Sequence, residues 1–145
     1  MKFALYTYAG EQHSFYSVEI ENIETSVAST SAGAGHLIVV VDRSGSMWGS
    51  LDQVKRIIED SLVSVSSGDL LVSLVSYSSE GDSTVHFTRS AVSTLAQSGS
   101  SELRQLRSIR PTGLTCLSGG LQTALSLVQD GEATVIALHS DGYAN

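Results

Sequence analysis

The sequence predicts an α/β fold: a doubly wound, mostly parallel sheet with one antiparallel edge strand, preceded by a β-hairpin. Three observations carry this. Two runs, residues 37–41 (wholly apolar) and 134–139 (apolar over 135–138), have the length and β-branched content of strands buried on both faces. Between them, apolar residues recur at helical spacing. Polar loops follow each strand run, the arrangement of an open sheet with helices on both sides. At 145 residues the chain fits one compact domain.

Phe3, Leu5 and Thr7 alternate with Ala4, Tyr6 and Tyr8, and Tyr16, Val18 and Ile20 alternate with Phe15, Ser17 and Glu19, predicting two strands around Gly10-Glu11. Residues 1–24 are therefore assigned to a hairpin. Residues 25–35, rich in Ser, Ala and Gly, hold little apolar surface and read as a linker. Residues 36–145 form the main domain. After Leu37–Val41, the residues Leu51, Val54, Ile57, Ile58, Leu62 and Val65 mark a helix, with Ser50 and Gln53 as a capping box. Leu70 to Tyr77 supplies the next strand. A short polar turn then leads into Thr84 to Thr88, and so short a connection requires an antiparallel partner. Leu103, Leu106 and Ile109 mark a short helix closed by Pro111, and Leu117, Leu121, Ala124, Leu125 and Val128 mark another, stopping at Asp130-Gly131. Thr134 to His139 is the last strand.

Eight basic against fifteen acidic side chains give a net charge of -7, which argues against binding to a nucleic-acid backbone or an anionic lipid surface. No apolar run reaches the roughly 18 residues of a membrane span. The first fifteen residues lack the apolar stretch of a secretory signal, and the single cysteine, Cys116, excludes an internal disulfide framework. The expected setting is cytoplasmic.

Asp42, Ser44 and Ser46 follow the first buried strand, Thr115 precedes the Leu117 helix, and Asp141 follows the last strand. In an open α/β sheet the carboxyl ends of the strands converge on one edge, where ligands bind. All five side chains are oxygen donors, the set that hard divalent cations prefer; magnesium takes about six oxygens at roughly 2.1 Å. The i, i+2, i+4 spacing of Asp42, Ser44 and Ser46 lets one segment present three oxygens to one point, with Gly45 permitting the bend. Few carboxylates and many hydroxyls lean toward Mg2+ over Mn2+ or Ca2+. A cation so held keeps part of its charge and attracts a further carboxylate from outside. Each residue also has a plainer reading: a capping turn at positions 42–46, an N-cap at Thr115, an ordinary turn at Asp141-Gly142.

Asp42-x-Ser44-x-Ser46, Thr115 in a Thr-Gly-x-Thr loop and Asp141-Gly142 after a buried strand together resemble the von Willebrand factor type A domain, a Rossmann-like fold, and its metal-ion-dependent adhesion site. The resemblance covers residues 36–145. It implies a non-enzymatic, magnesium-dependent module that binds the Asp or Glu of another protein. The segment Asp42 to Met47 is similar to that of scaffold members of the family acting beside larger assemblies. Met47 and Trp48, directly after the metal loop, are candidates for a partner-binding rim. Domains of this family normally continue beyond the last aspartate. The likeness therefore implies that Thr134 to His139 is an exposed edge strand, completed by another chain or by a longer product.

Other readings compete. A magnesium-dependent phosphoester hydrolase also places an aspartate after its first strand, but it needs a second carboxylate two residues on, where this chain has Ser44, and a nearby lysine. A structural domain with a silent metal loop is the third reading. Cys116 and His139 read as packed residues, and His13, His36 and His86 lack ligand spacing. Gly119-Gly120 reads as a close helix-to-sheet approach, and Arg104, Arg107 and Arg110 as a solvated face.

Overall fold

The computed structural model describes residues 2–9, 14–21, 35–65, 69–97 and 99–142, the first two segments through their backbone. The turn at Gly10-Glu11 and, apart from Gly35, the expected linker lie outside these residues. The elements in chain order are β1 (Lys2–Ala9), β2 (Ser14–Glu21), β3 (His36–Asp42), α1 (Leu51–Ser64), β4 (Leu71–Tyr77), β5 (Ser83–Ala91), α2 (Val92–Leu95), α3 (Ser101–Ser108), α4 (Leu117–Leu125) and β6 (Thr134–His139). A 3₁₀ turn, Gly45–Gly49, joins β3 to α1.

The sheet order is β1-β2-β6-β3-β4-β5. Strands β6, β3 and β4 are parallel, with Val41 opposite both His139 and Ser76, and β5 runs antiparallel at one edge. The expected exposed edge at Thr134 to His139 is not found. Strand β2 runs antiparallel along β6, pairing Glu19, Ile20 and Glu21 with Ala137, Ile136 and Val135. A hairpin distant in sequence thus takes up backbone donors and acceptors that would otherwise template another chain.

Period-two alternation along β3 divides the core into two layers. Val39 and Val41 pack with Leu51, Val54, Ile58, Leu103 and Leu106 on the side of α1, α2 and α3. Ile38 and Val40 pack with Tyr77, Ala124, Ile136 and Leu138 on the side of α4. Each buried aliphatic side chain contributes about 1.5–3 kcal/mol by leaving water.

The α1 stripe departs from expectation in three places. Helical residues advance by about 100° each, which puts Ile57 well off the line through Leu51, Val54, Ile58 and Leu62, and it is exposed. Val65 is exposed because it follows the last helical residue. Lys55 lies on the buried line and is only 6% exposed. The Ser50 capping box does not form: the 3₁₀ turn runs directly into α1, Ser50 has φ -117° and ψ -21°, and its side chain makes no cap bond. Helix α2, four residues long, is too short to carry a periodic signal, and α4 ends at Leu125, ahead of the expected stop at Asp130.

Candidate functional site at the carboxyl edge of the sheet

Because β3 and β6 are parallel, Asp42 at the end of one and Asp141 just past the end of the other lie at the same edge of the sheet. The Asp42 side chain is fully buried and accepts three hydrogen bonds. Oδ1 takes the Ser44 backbone N–H at 2.8 Å, and Oδ2 takes the Ser140 hydroxyl at 2.8 Å and the Tyr77 hydroxyl at 3.3 Å. Burial first, and the Asp42 charge second, push the Tyr77 phenol far up, so it remains a protonated donor. Asp141 acts on the same phenol through its charge, which sets it in this neighbourhood. Ser44 is buried, Ser46 is exposed, and their Oγ atoms lie 3.0 Å apart.

Backbone bonds pin the Thr115 loop to the same place. Thr112 N–H donates to Arg43 O at 2.7 Å, Gly45 N–H to Gly113 O at 3.0 Å, and Cys116 N–H to Ser78 O at 2.6 Å. The approach needs two glycines. A Cβ on Gly45 would sit 3.2 Å from Gly113 O, while Gly113 has φ +66° and a Cβ there would meet Ser79 Oγ at 2.5 Å. Thr115 is buried, and the N-cap of α4 is Cys116, so the threonine hydroxyl is not spent on capping. Arg43 pairs with Asp82, whose other carboxylate oxygen accepts from Ser78 Oγ at 2.5 Å, fixing the outer side of the loop.

The structure therefore gathers the loops carrying all five sequence-predicted oxygens at one edge. It also adds two residues that sequence reasoning missed, Tyr77 and Ser140. Both stand at or just beyond strand ends on the same edge, which is the signal that could have found them. Met47 is a correction: 1% exposed, it packs into the α1 core and offers no rim to a partner. Trp48, beside it, is 79% exposed. Among the described residues no group of three or more His, Cys, Asp or Glu side chains is placed to hold a metal ion. The donor set here has only two carboxylates, and hydroxyls would have to complete it. No helix among the described residues is long and apolar enough to cross a membrane.

Residues 37–143 match the family model described as von Willebrand factor type A domain. No curated protein matches the chain. Among solved structures, the fold is similar to the pilus adhesin SpaC of Lactobacillus rhamnosus GG in its open conformation, with a TM-score of 0.57 and 18% identity over 90% of this chain and 17% of the adhesin. It is also similar to the conserved hypothetical protein BatB of Bacteroides thetaiotaomicron, with a TM-score of 0.52 and 21% identity over 68% of this chain and 49% of BatB. The chain thus spans less than a fifth of the adhesin and about half of BatB.

Proposed function

The chain belongs to the von Willebrand factor type A domain family, and from that membership we propose a protein-binding module in which Asp42, Ser44, Ser46, Thr115 and Asp141 hold a magnesium ion. The module would capture a carboxylate of a partner protein at that site. The observation that carries this reading is the 3.0 Å between Ser44 Oγ and Ser46 Oγ. Two neighbouring oxygens of an octahedral magnesium ion, each about 2.1 Å from it at a right angle, are about 3.0 Å apart. The donors are all oxygens, as a hard cation requires.

When bound, the ion supplies a Lewis-acidic position for an outside carboxylate oxygen. The protein's own residues do the rest. The Ser44 N–H, the Ser140 hydroxyl and the Tyr77 hydroxyl hold the Asp42 carboxylate in one orientation and disperse its charge. Hydroxyls at 44, 46 and 115 add donors without adding negative charge, which favours an anionic partner. The adhesin among the structural neighbours supports an interaction role.

A phosphoester hydrolase is the weaker reading. Lys55, the candidate for clamping a developing negative charge, is buried on α1, paired with Asp52 at 2.6 Å and donating to the carbonyls of Arg107 and Ile109. Calorimetric titration with magnesium and manganese chloride tests the proposal: we expect one saturable site in the wild type and none in folded Asp42→Ala. A silent wild-type trace would remove the metal. Phosphate released from para-nitrophenyl phosphate by the wild type and not by Asp42→Ala would favour the hydrolase.

A further inference from the structure

Four of the eight basic side chains, Lys55, Arg56, Arg107 and Arg110, line a single cleft of about 670 Å³ between α1 and the end of α3. Among the described residues, the carboxylates lining it are Asp52 and Glu59. In a chain of net charge -7 such an excess of positive charge is local and concentrated. Both carboxylates are already engaged. Asp52 pairs with Lys55 at 2.6 Å, and Glu59 pairs with Arg107 across the cleft, tying α1 to α3. The excess therefore rests on Arg56 and Arg110, both exposed. Arg110 Nη1 donates to the carbonyls of Arg107 at 2.8 Å and Ile109 at 3.1 Å, which anchors that guanidinium at the wall of the cleft.

The cleft begins beside the site described above. Trp48 lines its mouth and follows Ser46 by two residues, and Pro111 lines the facing wall, directly before Thr112, whose N–H is bonded to Arg43 O. Asp52, Lys55, Arg56 and Glu59 recur at i, i+3, i+4 and i+7, so the α1 wall runs about 10 Å. An extended peptide rises about 3.3 Å per residue, so roughly three residues span it. Trp48 is 79% exposed, and tryptophan and arginine are both residue types enriched among the anchors of interfaces.

We propose that this cleft receives an extended acidic segment of a partner protein. Its leading carboxylate meets the Ser46 loop, the carboxylates that follow meet Arg56 and Arg110, and the intervening chain packs on Trp48. The leading contact rests on the proposed metal-dependent reading; the cleft contacts do not.

The test uses the full chain and two fluorescein-labelled peptides, one carrying Asp-Glu-Glu-Glu and the other Asp-Gln-Gln-Gln, followed by fluorescence polarisation in magnesium chloride and in EDTA. We expect the acidic tail to bind about tenfold more tightly than the neutral one. In the double variant Arg56→Gln/Arg110→Gln that preference falls below about twofold while magnesium dependence persists. Trp48→Ala weakens both peptides about tenfold. Equal affinity for the two tails, a preference untouched by the double variant, or tighter binding of a single-stranded oligonucleotide overturns the proposal. A tail preference that survives EDTA unchanged, with no effect of magnesium, counts against the metal and leaves the cleft standing. Magnesium dependence without a tail preference does the reverse.

Discussion

Gly120 of α4 lies against the ring of Tyr77 so closely that a Cβ at position 120 would sit 2.6 Å from Cγ of that ring. The contact joins packing to the site, because the same tyrosine donates from its hydroxyl to Asp42 Oδ2. Gly120→Ala must therefore push the ring or lift the helix. Overpacking of this kind costs about 1–3 kcal/mol, more than the roughly 1 kcal/mol that alanine gains over glycine in helix propensity. Urea denaturation should show a net loss of stability, and calorimetry weaker magnesium binding at the proposed site. Gly119→Ala is the control: its Cβ would meet only Cys116 Sγ and Ser83 Oγ at 3.5 and 3.6 Å, ordinary contact distances.

Much of this was legible from the sequence, and the limits have physical causes. Strand β6 matches its predicted bounds because its centre, Val135 to Leu138, is wholly apolar and is bracketed by the polar Thr134 and His139. The five proposed oxygen donors stand out in the sequence because each follows or precedes a strongly marked element. Lys55 was not, since a charged side chain on a buried stripe reads as a break in the pattern until the carbonyls that receive it are located. The covering of β6 by β2 is a pairing across more than a hundred residues, and local periodicity says nothing about it.

Arg89 was equally invisible. It has φ +51°, in β5 where the register shift between Val72 and Leu74 places an extra residue opposite Ser73. Ser73 Oγ accepts the Arg89 N–H at 2.9 Å and bonds His36 Nε2 at 2.8 Å, replacing ladder bonds that the bulge interrupts. The Arg89 guanidinium meets Glu132 through two hydrogen bonds of 2.7 Å. Arg89→Ala and Arg89→Gly both lose that pair, so comparing them isolates the backbone. The glycine variant should be the more stable by about 1 kcal/mol, because only the alanine is strained at positive φ. Equal urea midpoints for the two would contradict a left-handed residue here.

The same cluster makes stability depend on pH. His36 is buried beside Glu132, and burial pulls its imidazole below the ordinary value of 6.5 despite the glutamate. Burial, and then Arg43, does the same to His86, which is bonded to Ser76 Oγ. Below pH 6.5 the unfolded chain takes up protons that these native imidazoles refuse, so stability falls as pH drops from there. Glu132 is held down chiefly by its hydrogen bond to Arg89, so its contribution is present above 4.5 and is lost as pH falls further through its native value. Urea midpoints should therefore decline in two stages on acidification, one starting near 6.5 and one near 4.5. His36→Gln should make the first stage shallower, with His86 and His139, both also depressed by burial, keeping the rest of it, and should leave the second in place. A single stage confined to the lower window would show that the imidazoles are not depressed.

The pairing of β2 on β6 gives the last expectation. Among the described residues three pairs join them, with Ile20 opposite Ile136 at the centre. Proline at position 20 would remove a backbone N–H and fix φ in the middle of this short ladder, a place strands do not tolerate. Strand β6 would then present its Val135, Ile136 and Ala137 backbone groups to solvent as an apolar edge open to a second copy. Sedimentation velocity should show Ile20→Pro associating with rising concentration while the wild type does not. Native-state hydrogen exchange should localise the loss of protection to β2 and β6, leaving β3 and β4 slow. A variant that stays monomeric with β6 amides still protected would mean that something other than β2 shields that edge.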